Sequence, residues 1–314
     1  MRRTYKIGSI LLSNALAHYP QFRFRDGQKL LWNPILKKTF VIRPEERVRL
    51  ALVDYLTMEA NVSTSRISFE SPVKLAGDKS SSRTDIICYD QDFKPLLLVE
   101  CKAPDIKLDE KAAIQIARYN QKVGAPFLLI SNGMLDFWFK SEDDKVHACP
   151  EIPEQFQPNG SPEYASLYWE ERAFIGSKPA PKIRSYLTEQ CRLLFGEAHQ
   201  PVKFLNFDGF SPEFALSHYY RIFGQPENSK IGLSISANPY GGSQLNGVLN
   251  QNGANTAFFT TSLNLLAEDV HPNTEIHSAQ GVKKLDLSKR TDFNFEIDLA
   301  EIIPSIRQLL LTFS

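Results

Sequence analysis

The chain has 314 residues, 42% of them hydrophobic, and it carries 36 basic and 36 acidic side chains. This length accommodates one large or two ordinary domains. No stretch approaches the ~18 uninterrupted apolar residues of a membrane-spanning helix, and four cysteines without a CxxC pair indicate neither a disulfide scaffold nor structural zinc. We therefore expect a protein of a reducing, cytoplasmic compartment that needs no membrane.

Positive charge is concentrated at the front of the chain. Residues 1–49 hold 11 basic side chains against three acidic ones. Both a polyanionic partner and a solvated basic surface are consistent with this excess. The candidate nucleic-acid-binding residues in this region are Arg23, Arg25, Lys37 and Lys38.

The first half of the chain predicts strands with helices packed on them. KLLW and KTFVI flank NPILK and predict a hairpin, and Pro44 begins a predicted helix with apolar residues at helical spacing. RISFESPVKL, RTDIICYD and PLLLVECKAP predict strands, and residues 108–122 predict a second helix. APFLLISNG and LDFWFK predict two further strands.

The segment CPEIPEQFQPNGSP predicts a domain boundary, because it is rich in proline and polar residues. We predict a first domain over residues 1–150 that includes the N-terminal basic hairpin, a linker over 151–162, and a C-terminal α+β domain over 163–314. In this second half, residues 163–198, SPEFALSHYYRIFG and IIPSIRQLLLTF predict helices. KIGLSIS, NGVLNQ, TAFFTTSLNLL and FNFEIDL predict strands.

Two carboxylates and a lysine occur within segments that otherwise predict buried strands. In an antiparallel hairpin with Asp90 opposite Pro95, Asp85 lies opposite Glu100, and Lys102 lies on the same face. Facing carboxylates destabilise a sheet unless a cation lies between them, and two oxygen ligands suit Mg²⁺ or Mn²⁺. The alternative is an exposed hairpin face on which the lysine pairs with the acids.

This stretch resembles the D...ExK core of the PD-(D/E)xK nucleases. Over about residues 32–139, the chain also resembles the N-terminal nuclease domain of type I restriction enzyme motor subunits. The shared features are NPILKKTFVIRPEERVR, the D...ExK pair, QIARYN and LISNG, in that order. The resemblance implies an α/β (α+β), restriction-endonuclease-like core with a mixed sheet flanked by helices, followed here by a second α+β domain. Thr84 replaces the proline of the superfamily name, and Arg43 replaces a frequent threonine, but neither change removes a metal ligand.

The resemblance also implies the roles of the residues around the two carboxylates. Asp85, Glu100 and the main-chain carbonyl of Cys101 would hold Mg²⁺ or Mn²⁺. Lys102 would be the catalytic lysine.

Two further parts of the site follow from the same resemblance. Gln115 and Tyr119 match the QxxxY motif, and a spacing of four places them on one side of a helix. The alternatives to a role in the site are an exposed helical glutamine for Gln115 and a core aromatic for Tyr119. The acid of the first helix would be Glu45 or Glu46, unless these carboxylates only stabilise the helix terminus. We expect Glu45 to face the site, because it lies on the apolar stripe that includes Val48.

Together these features predict a metal-dependent nuclease that hydrolyses phosphodiester bonds, as a DNA endonuclease in restriction or phage defence. Two alternatives remain open: a DNA-repair or junction-type nuclease with the same catalytic residues, and a non-catalytic nucleic-acid-binding protein on the same fold. The expected partner is DNA, with a second copy of the chain or a targeting protein as a further possibility. No Gly-rich loop ends in GK[ST], so we expect no ATP site.

Overall fold

The computed structural model describes residues 11–73, 82–143, 145–159, 164–197, 201–207, 210, 214–225 and 228–314. The chain divides into two compact units. One unit comprises residues 1–21 and 31–163, and the other comprises residues 22–30 and 164–314. A short segment from the front of the chain therefore belongs to the second unit. The domain boundaries inferred from the sequence, including a linker over 151–162, stay a prediction.

The described residues form strands in both halves of the chain. They are β1 (Leu11–Leu12), β2 (Gln21–Arg25), β3 (Gln28–Asn33), β4 (Lys38–Phe40), β5 (Ile67–Val73), β6 (Ser82–Tyr89), β7 (Pro95–Cys101), β8 (Phe127–Ser131), β9 (Leu135–Glu142), β10 (Lys145–Ala148), β11 (Val202–Leu205), β12 (His218–Gln225), β13 (Ser229–Ala237), β14 (Ser243–Gln251), β15 (Ala254–Ser262), β16 (Thr274–Ser278) and β17 (Gly281–Leu285).

The α-helices are fewer than the strands among the same residues. They are α1 (Pro44–Met58), α2 (Glu110–Val123), α3 (Ser166–Glu171), α4 (Arg184–Phe195), α5 (Leu263–Ala267) and α6 (Ile303–Leu311). None of the helices in the described part of the chain is both long and apolar enough to cross a membrane.

A mixed sheet lies at the centre of the first unit. Its strand order is β1, β9, β8, β7, β6, β5, and β10 pairs with β9. β7 and β8 are parallel, whereas the other neighbouring strands are antiparallel. The mixed α/β architecture confirms the predicted fold class.

Helices α1 and α2 cover opposite faces of this sheet. The buried residues of α1, including Leu52, pack in one cluster with Val99 of β7. Those of α2, including Ile116, pack in another cluster with Leu98. Successive residues of a strand point to opposite faces, so each helix meets a different side of β7. Both helices confirm the elements predicted from helical spacing, and Pro44 is the first residue of α1, as expected.

Strands β2, β3 and β4 form a small sheet in that order. The predicted hairpin of β3 and β4 is confirmed, with Asn33 paired to Lys38. The Asn33 side-chain oxygen accepts hydrogen bonds from the N–H groups of Ile35 and Leu36, a common way of stabilising a turn. Lys37 completes the turn with a left-handed φ of 52°.

The turn between β6 and β7 differs from the prediction in one detail. Tyr89 pairs with Pro95, after a shift in register, so the expected pair of Asp90 with Pro95 is wrong. Asp90 instead closes the turn: its N–H donates to the Lys94 carbonyl, and its carboxylate accepts the Lys94 N–H at 2.8 Å. Phe93 adopts a left-handed φ of 58° inside this turn.

Part of the proline-rich segment after β10 is packed into the first unit. Phe156 is fully buried and stacks on Trp138 with ring centroids 5.4 Å apart. The Tyr55 hydroxyl of α1 donates to the Phe156 carbonyl. These contacts attach the segment to the core of the first unit at this residue.

The second unit contains an antiparallel sheet in which β11 to β17 pair in sequence order. Every residue of β13 from Ile231 to Ala237 is buried, so both faces of this strand are covered. Gly247 on β14 is required by packing, because a Cβ atom there would lie 2.1 Å from the Phe259 ring.

Two predictions for the second half are wrong. SPEFALSHYYRIFG, predicted as a helix, lies partly outside the described residues, and residues 218–225 form β12 between β11 and β13. His218 and Tyr220 alternate as buried residues on this strand, so pairing with two neighbours overrides the helical pattern. FNFEIDL, predicted as a strand, forms turns, one closed by Asn294, whose side chain accepts the Glu296 N–H. The predicted helices before and after these segments correspond to α3, α4 and α6.

A buried histidine connects the front of the chain to α1 in the first unit. His18 is 2% exposed. Its Nδ1 lies 2.8 Å from Asp54 Oδ2, and its Nε2 lies 3.0 Å from Glu59 Oε1. Both ring nitrogens can donate only in the imidazolium form. Burial lowers the pKa of His18, but the hydrogen bonds and charges of the two carboxylates outweigh it and raise the pKa above its usual value.

We expect His18→Gln to lower the free energy of unfolding by about 1.5–3 kcal/mol at pH 6, the usual contribution of hydrogen bonds to charged groups. Because the pKa of His18 is raised in the fold, its protonated form contributes its full stabilisation at pH values below the ordinary histidine pKa. This contribution to the free energy of unfolding is lost as the pH rises through the pKa of His18 in the folded protein. Urea unfolding at pH 6 and pH 9 therefore gives a smaller difference between wild type and variant at pH 9. His147→Gln, at an exposed position in β10, is the control. An equal loss of unfolding free energy in His18→Gln at pH 6 and pH 9 would contradict the assignment of His18 as an imidazolium.

Candidate active site

The two strands that carry the predicted carboxylates separate where those carboxylates lie. β6 and β7 pair as far as Ile86 with Val99, in the predicted register. Beyond this pair β6 still pairs with β5 at Thr84, and β7 still pairs with β8 at Cys101. The ladder between β6 and β7 does not extend further, so the sheet opens into a fork at this point.

Asp85 occupies the opening of this fork. Its Oδ2 accepts a hydrogen bond from the Cys101 N–H at 2.6 Å. The side chain thereby satisfies a backbone donor that the interrupted ladder would otherwise leave without a strand partner. The expected arrangement, with Asp85 and Glu100 opposite each other in a regular ladder, is replaced by one in which the Asp85 carboxylate lies against the backbone of β7.

Arg49 of α1 neutralises Asp85. Its Nη2 lies 2.6 Å from Asp85 Oδ1, and its Nη1 lies 2.8 Å from Glu46 Oε2. The Arg49 and Glu46 side chains are each 12% exposed and that of Asp85 is 17% exposed. Helix α1 therefore contributes a half-buried acid–arginine pair to the site.

The second carboxylate is held from the other face of the sheet. Lys102 Nζ lies 2.7 Å from Glu100 Oε1, and the Gln115 amide donates to the same oxygen at 2.7 Å. Lys102 also donates to Gln115 Oε1 at 3.2 Å, and the Gln115 amide donates to the Tyr119 hydroxyl at 3.3 Å. Glu100 of β7, Lys102 just after this strand, and Gln115 and Tyr119 of α2 therefore form one connected group.

The surroundings shift the pKa values of both Glu100 and Lys102. Burial, and next the charge of Asp85, raise the pKa of Glu100, although Lys102 and Arg49 act against this rise. Burial lowers the pKa of Lys102, but its hydrogen bond to Glu100 and the surrounding carboxylates raise it overall. Lys102 therefore remains an ammonium at neutral pH, whereas the surroundings of Glu100 disfavour its charged form.

The donor set of the fork fits a divalent metal with oxygen ligands. Asp85 and Glu100 interact electrostatically, and both hydrogen bonds to Glu100 use Oε1. Within the described residues, no group of three or more His, Cys, Asp or Glu side chains is placed to hold a metal. Two carboxylates with a main-chain carbonyl and water would therefore form the shell, and Mg²⁺ commonly keeps several waters. Cys101 can contribute only its carbonyl, since its thiol is buried and burial raises the thiol pKa well above its usual value.

The two candidate acids of α1 differ in position. Glu46 connects to Asp85 through Arg49. Glu45, which the apolar stripe favoured, is exposed and acts on Lys102 only through its charge. The preference for Glu45 over Glu46 stays a prediction, because Glu46 reaches Asp85 through Arg49 whereas the charge of Glu45 acts on Lys102.

Arg49 is the residue that sequence reasoning missed. The available signal was the spacing of three from Glu46, which allows an ion pair along a helix. The sequence could not show that the same guanidinium also reaches Asp85, because that contact joins α1 to a strand 36 residues away.

The predicted nucleic-acid-binding residues belong to different units of the chain. Lys37 and Lys38 are exposed on the hairpin turn of the first unit. Arg23 and Arg25 belong to the second unit, where Arg23 donates to the Phe22 carbonyl and Arg25 is exposed. A contact of any of these four with DNA stays a prediction.

Comparison with protein families identifies the segment that carries the site. Residues 44–153 match the family described as type I restriction enzyme R protein N terminus. The resemblance to the N-terminal domain of type I restriction enzyme motor subunits is thus confirmed over this segment, which contains α1, α2, Asp85, Glu100 and Lys102. The family suggests a nuclease related to restriction enzymes, and its restriction context implies an interaction with DNA. None of the curated proteins compared with the chain matches it.

Removing the charge of Asp85 and removing that of Glu100 should have different effects on the melting temperature of the metal-free protein. We expect Asp85→Asn to lower the melting temperature, because it breaks a half-buried pair with Arg49 and weakens acceptance of the Cys101 N–H. Glu100→Gln should leave the melting temperature equal or higher, because the raised pKa of Glu100 means that its ionised form costs stability at neutral pH.

Melting curves in EDTA at pH 7.5 measure both variants. As the pH falls through the raised pKa of Glu100, the wild-type carboxylate becomes neutral like the glutamine. The difference in melting temperature between wild type and Glu100→Gln should therefore become smaller. A large loss of stability in Glu100→Gln, equal to that in Asp85→Asn, contradicts the assigned charge balance.

Proposed function

We propose that the chain is a metal-dependent nuclease that hydrolyses phosphodiester bonds in DNA, acting as an endonuclease in cytoplasmic restriction or phage defence. The observation that carries the proposal is the fork, where Asp85 and Glu100 approach from neighbouring strands and Lys102 is bound to Glu100. Its position inside the segment that matches the type I restriction enzyme R protein N terminus supports the same conclusion.

Each residue of the fork has a chemical role in this proposal. Asp85, Glu100 and the Cys101 carbonyl would hold Mg²⁺ or Mn²⁺, which supplies a Lewis acid for a phosphate oxygen and lowers the pKa of a bound water. Lys102 carries a positive charge at the edge of the site, with 22% of its side chain exposed. From there it can donate a hydrogen bond to a water or a phosphate oxygen.

The α2 residues position the lysine. The Gln115 side chain contacts both Lys102 and Glu100, so it fixes the lysine relative to the carboxylate. The Tyr119 hydroxyl accepts from the Gln115 amide one turn later. This arrangement limits the motion of the Lys102 side chain. A group that stabilises developing charge must be held in position in this way.

The proposal needs neither ATP nor a membrane. We assign target selection, through DNA contacts or through a targeting protein or second copy, to the second unit. Lys37 and Lys38, exposed beside each other in the first unit, are the proposed contacts to the DNA backbone there.

Purified full-length protein should cleave DNA with Mg²⁺ or Mn²⁺ and should be inactive in EDTA. The test uses duplex, nicked, forked and single-stranded DNA, with RNA for comparison. We expect Asp85→Asn and Glu100→Gln to reduce cleavage by at least a hundredfold, because each removes a charged ligand. Glu110→Gln, an exposed change of the same kind in the first turn of α2, should cleave normally.

Lys102→Ala separates catalysis from metal binding. The lysine contacts Glu100 but is not a ligand in this proposal, so turnover should fall by at least a hundredfold while Mn²⁺ affinity, measured by calorimetry, stays within a few fold. Full activity of the carboxylate variants at saturating Mg²⁺ would rule out the site. A folded Lys102→Ala protein that no longer binds Mn²⁺ would mean that the lysine organises the ligands.

Replacing Lys37 and Lys38 together by glutamine should weaken DNA binding without changing the metal site. Each phosphate contact contributes about 0.9 to the slope of log affinity against log salt on duplex DNA. The double change should therefore reduce that slope by up to about 2 units and lower affinity alike for all sequences. The measurement is a salt series of DNA binding by the Asp85→Asn protein, so that no cleavage occurs.

The paired control replaces Lys122 and Lys145, two other exposed lysines of the same unit. Their removal changes the net charge equally but should leave the slope closer to that of the parent protein. Identical slopes with and without Lys37 and Lys38 would place the hairpin turn away from the DNA.

A further inference from the structure

The Arg49 guanidinium places a positive charge inside the proposed metal site. It spans two carboxylates, with Nη2 2.6 Å from Asp85 Oδ1 and Nη1 2.8 Å from Glu46 Oε2. The side chain is 12% exposed, so its charge is screened less than that of a surface arginine. Asp85 is thus already paired with a cation that belongs to the protein.

Both oxygens of Asp85 are engaged in this arrangement. Oδ2 accepts the Cys101 N–H and Oδ1 accepts from Arg49. A backbone N–H in a sheet is fixed, whereas a long side chain can move. The oxygen that can be released for another cation is therefore Oδ1, and its release requires a shift of Arg49.

Glu46 provides a place for the guanidinium to remain after such a shift. It lies one turn before Arg49 on α1 and already accepts Nη1. Arg49 can therefore leave Asp85 and keep a charged partner, which avoids an unpaired arginine in a half-buried position. A shift of Arg49 away from Asp85 would therefore leave the contact between Arg49 and Glu46 in place.

We propose that Arg49 is a built-in counter-cation that competes with the divalent metal for Asp85, so that metal binding requires the guanidinium to withdraw onto Glu46. This inference rests on the proposed function, because it assigns a regulator to the same site. The arrangement keeps the metal-free protein stable by balancing Asp85, and it weakens metal binding. Arg49 is therefore a positioning residue that sets the metal concentration at which the site fills.

Calorimetric titration of Mn²⁺ into full-length wild type and Arg49→Met tests the competition. Removing a positive charge next to a divalent ion should lower the Kd roughly tenfold, while the melting temperature in EDTA falls because Asp85 loses its partner. The Mg²⁺ concentration for half-maximal cleavage should shift downwards in the same proportion. Arg43→Met is the matched control, since Arg43 is exposed at the start of the same helix and its side chain forms no capping hydrogen bond.

Glu46→Gln provides a test in the opposite direction. Without Glu46, the guanidinium loses the carboxylate onto which it would withdraw, so the Kd for Mn²⁺ should rise several fold. This variant keeps Arg49 on Asp85 and remains informative if Arg49→Met does not fold. An unchanged or lower Kd in Glu46→Gln overturns the proposal.

These measurements distinguish failure of the proposed competition from failure of the proposed nuclease activity. Wild type that binds Mn²⁺ and cleaves DNA, with an Arg49→Met variant of equal or weaker Mn²⁺ affinity, overturns the competition but leaves the nuclease intact. Wild type that neither binds Mn²⁺ nor cleaves DNA overturns both.

Discussion

The fork between β6 and β7 depends on the hydrogen bond from the Cys101 N–H to the Asp85 carboxylate. Where the ladder stops at Ile86 and Val99, the sheet would otherwise present backbone groups without strand partners. A carboxylate satisfies one of these donors and, in doing so, is fixed between the two strands. Glu100, one residue before Cys101, then projects from the same opening. The interruption of the sheet therefore brings two negative charges together.

Such charges are tolerated because cations reach them from both faces of the sheet. Arg49 extends from α1 to Asp85, and Lys102, fixed by Gln115 of α2, binds Glu100. Each helix is held by its own apolar cluster, so the core determines where the cations lie. Burial, and next the charge of Asp85, still raise the pKa of Glu100 despite these cations. An incompletely neutralised pair of carboxylates is what a divalent cation requires.

Much of the first unit could be predicted from the sequence because its signals are local. Apolar spacing and Pro44 identify α1, and the residues of the fork follow from the D...ExK pattern. Arg49 could not be identified in this way, because its contact with Asp85 depends on how a helix packs on a strand. The same limit explains the error in the second unit, where pairing with β11 and β13 makes residues 218–225 a strand. Long-range pairing overrides local propensity in such a sheet.

The central claim is that the fork binds a divalent metal between β6 and β7. Paramagnetic broadening of backbone amide signals in the full-length protein by substoichiometric Mn²⁺ tests this claim directly, because the effect reports distance from the bound ion. The account predicts that the amides of Cys101, Lys102 and Asp85 broaden first, and that Mg²⁺ in excess restores them. Broadening centred on other residues, or none at Mn²⁺ concentrations that support cleavage, would contradict it.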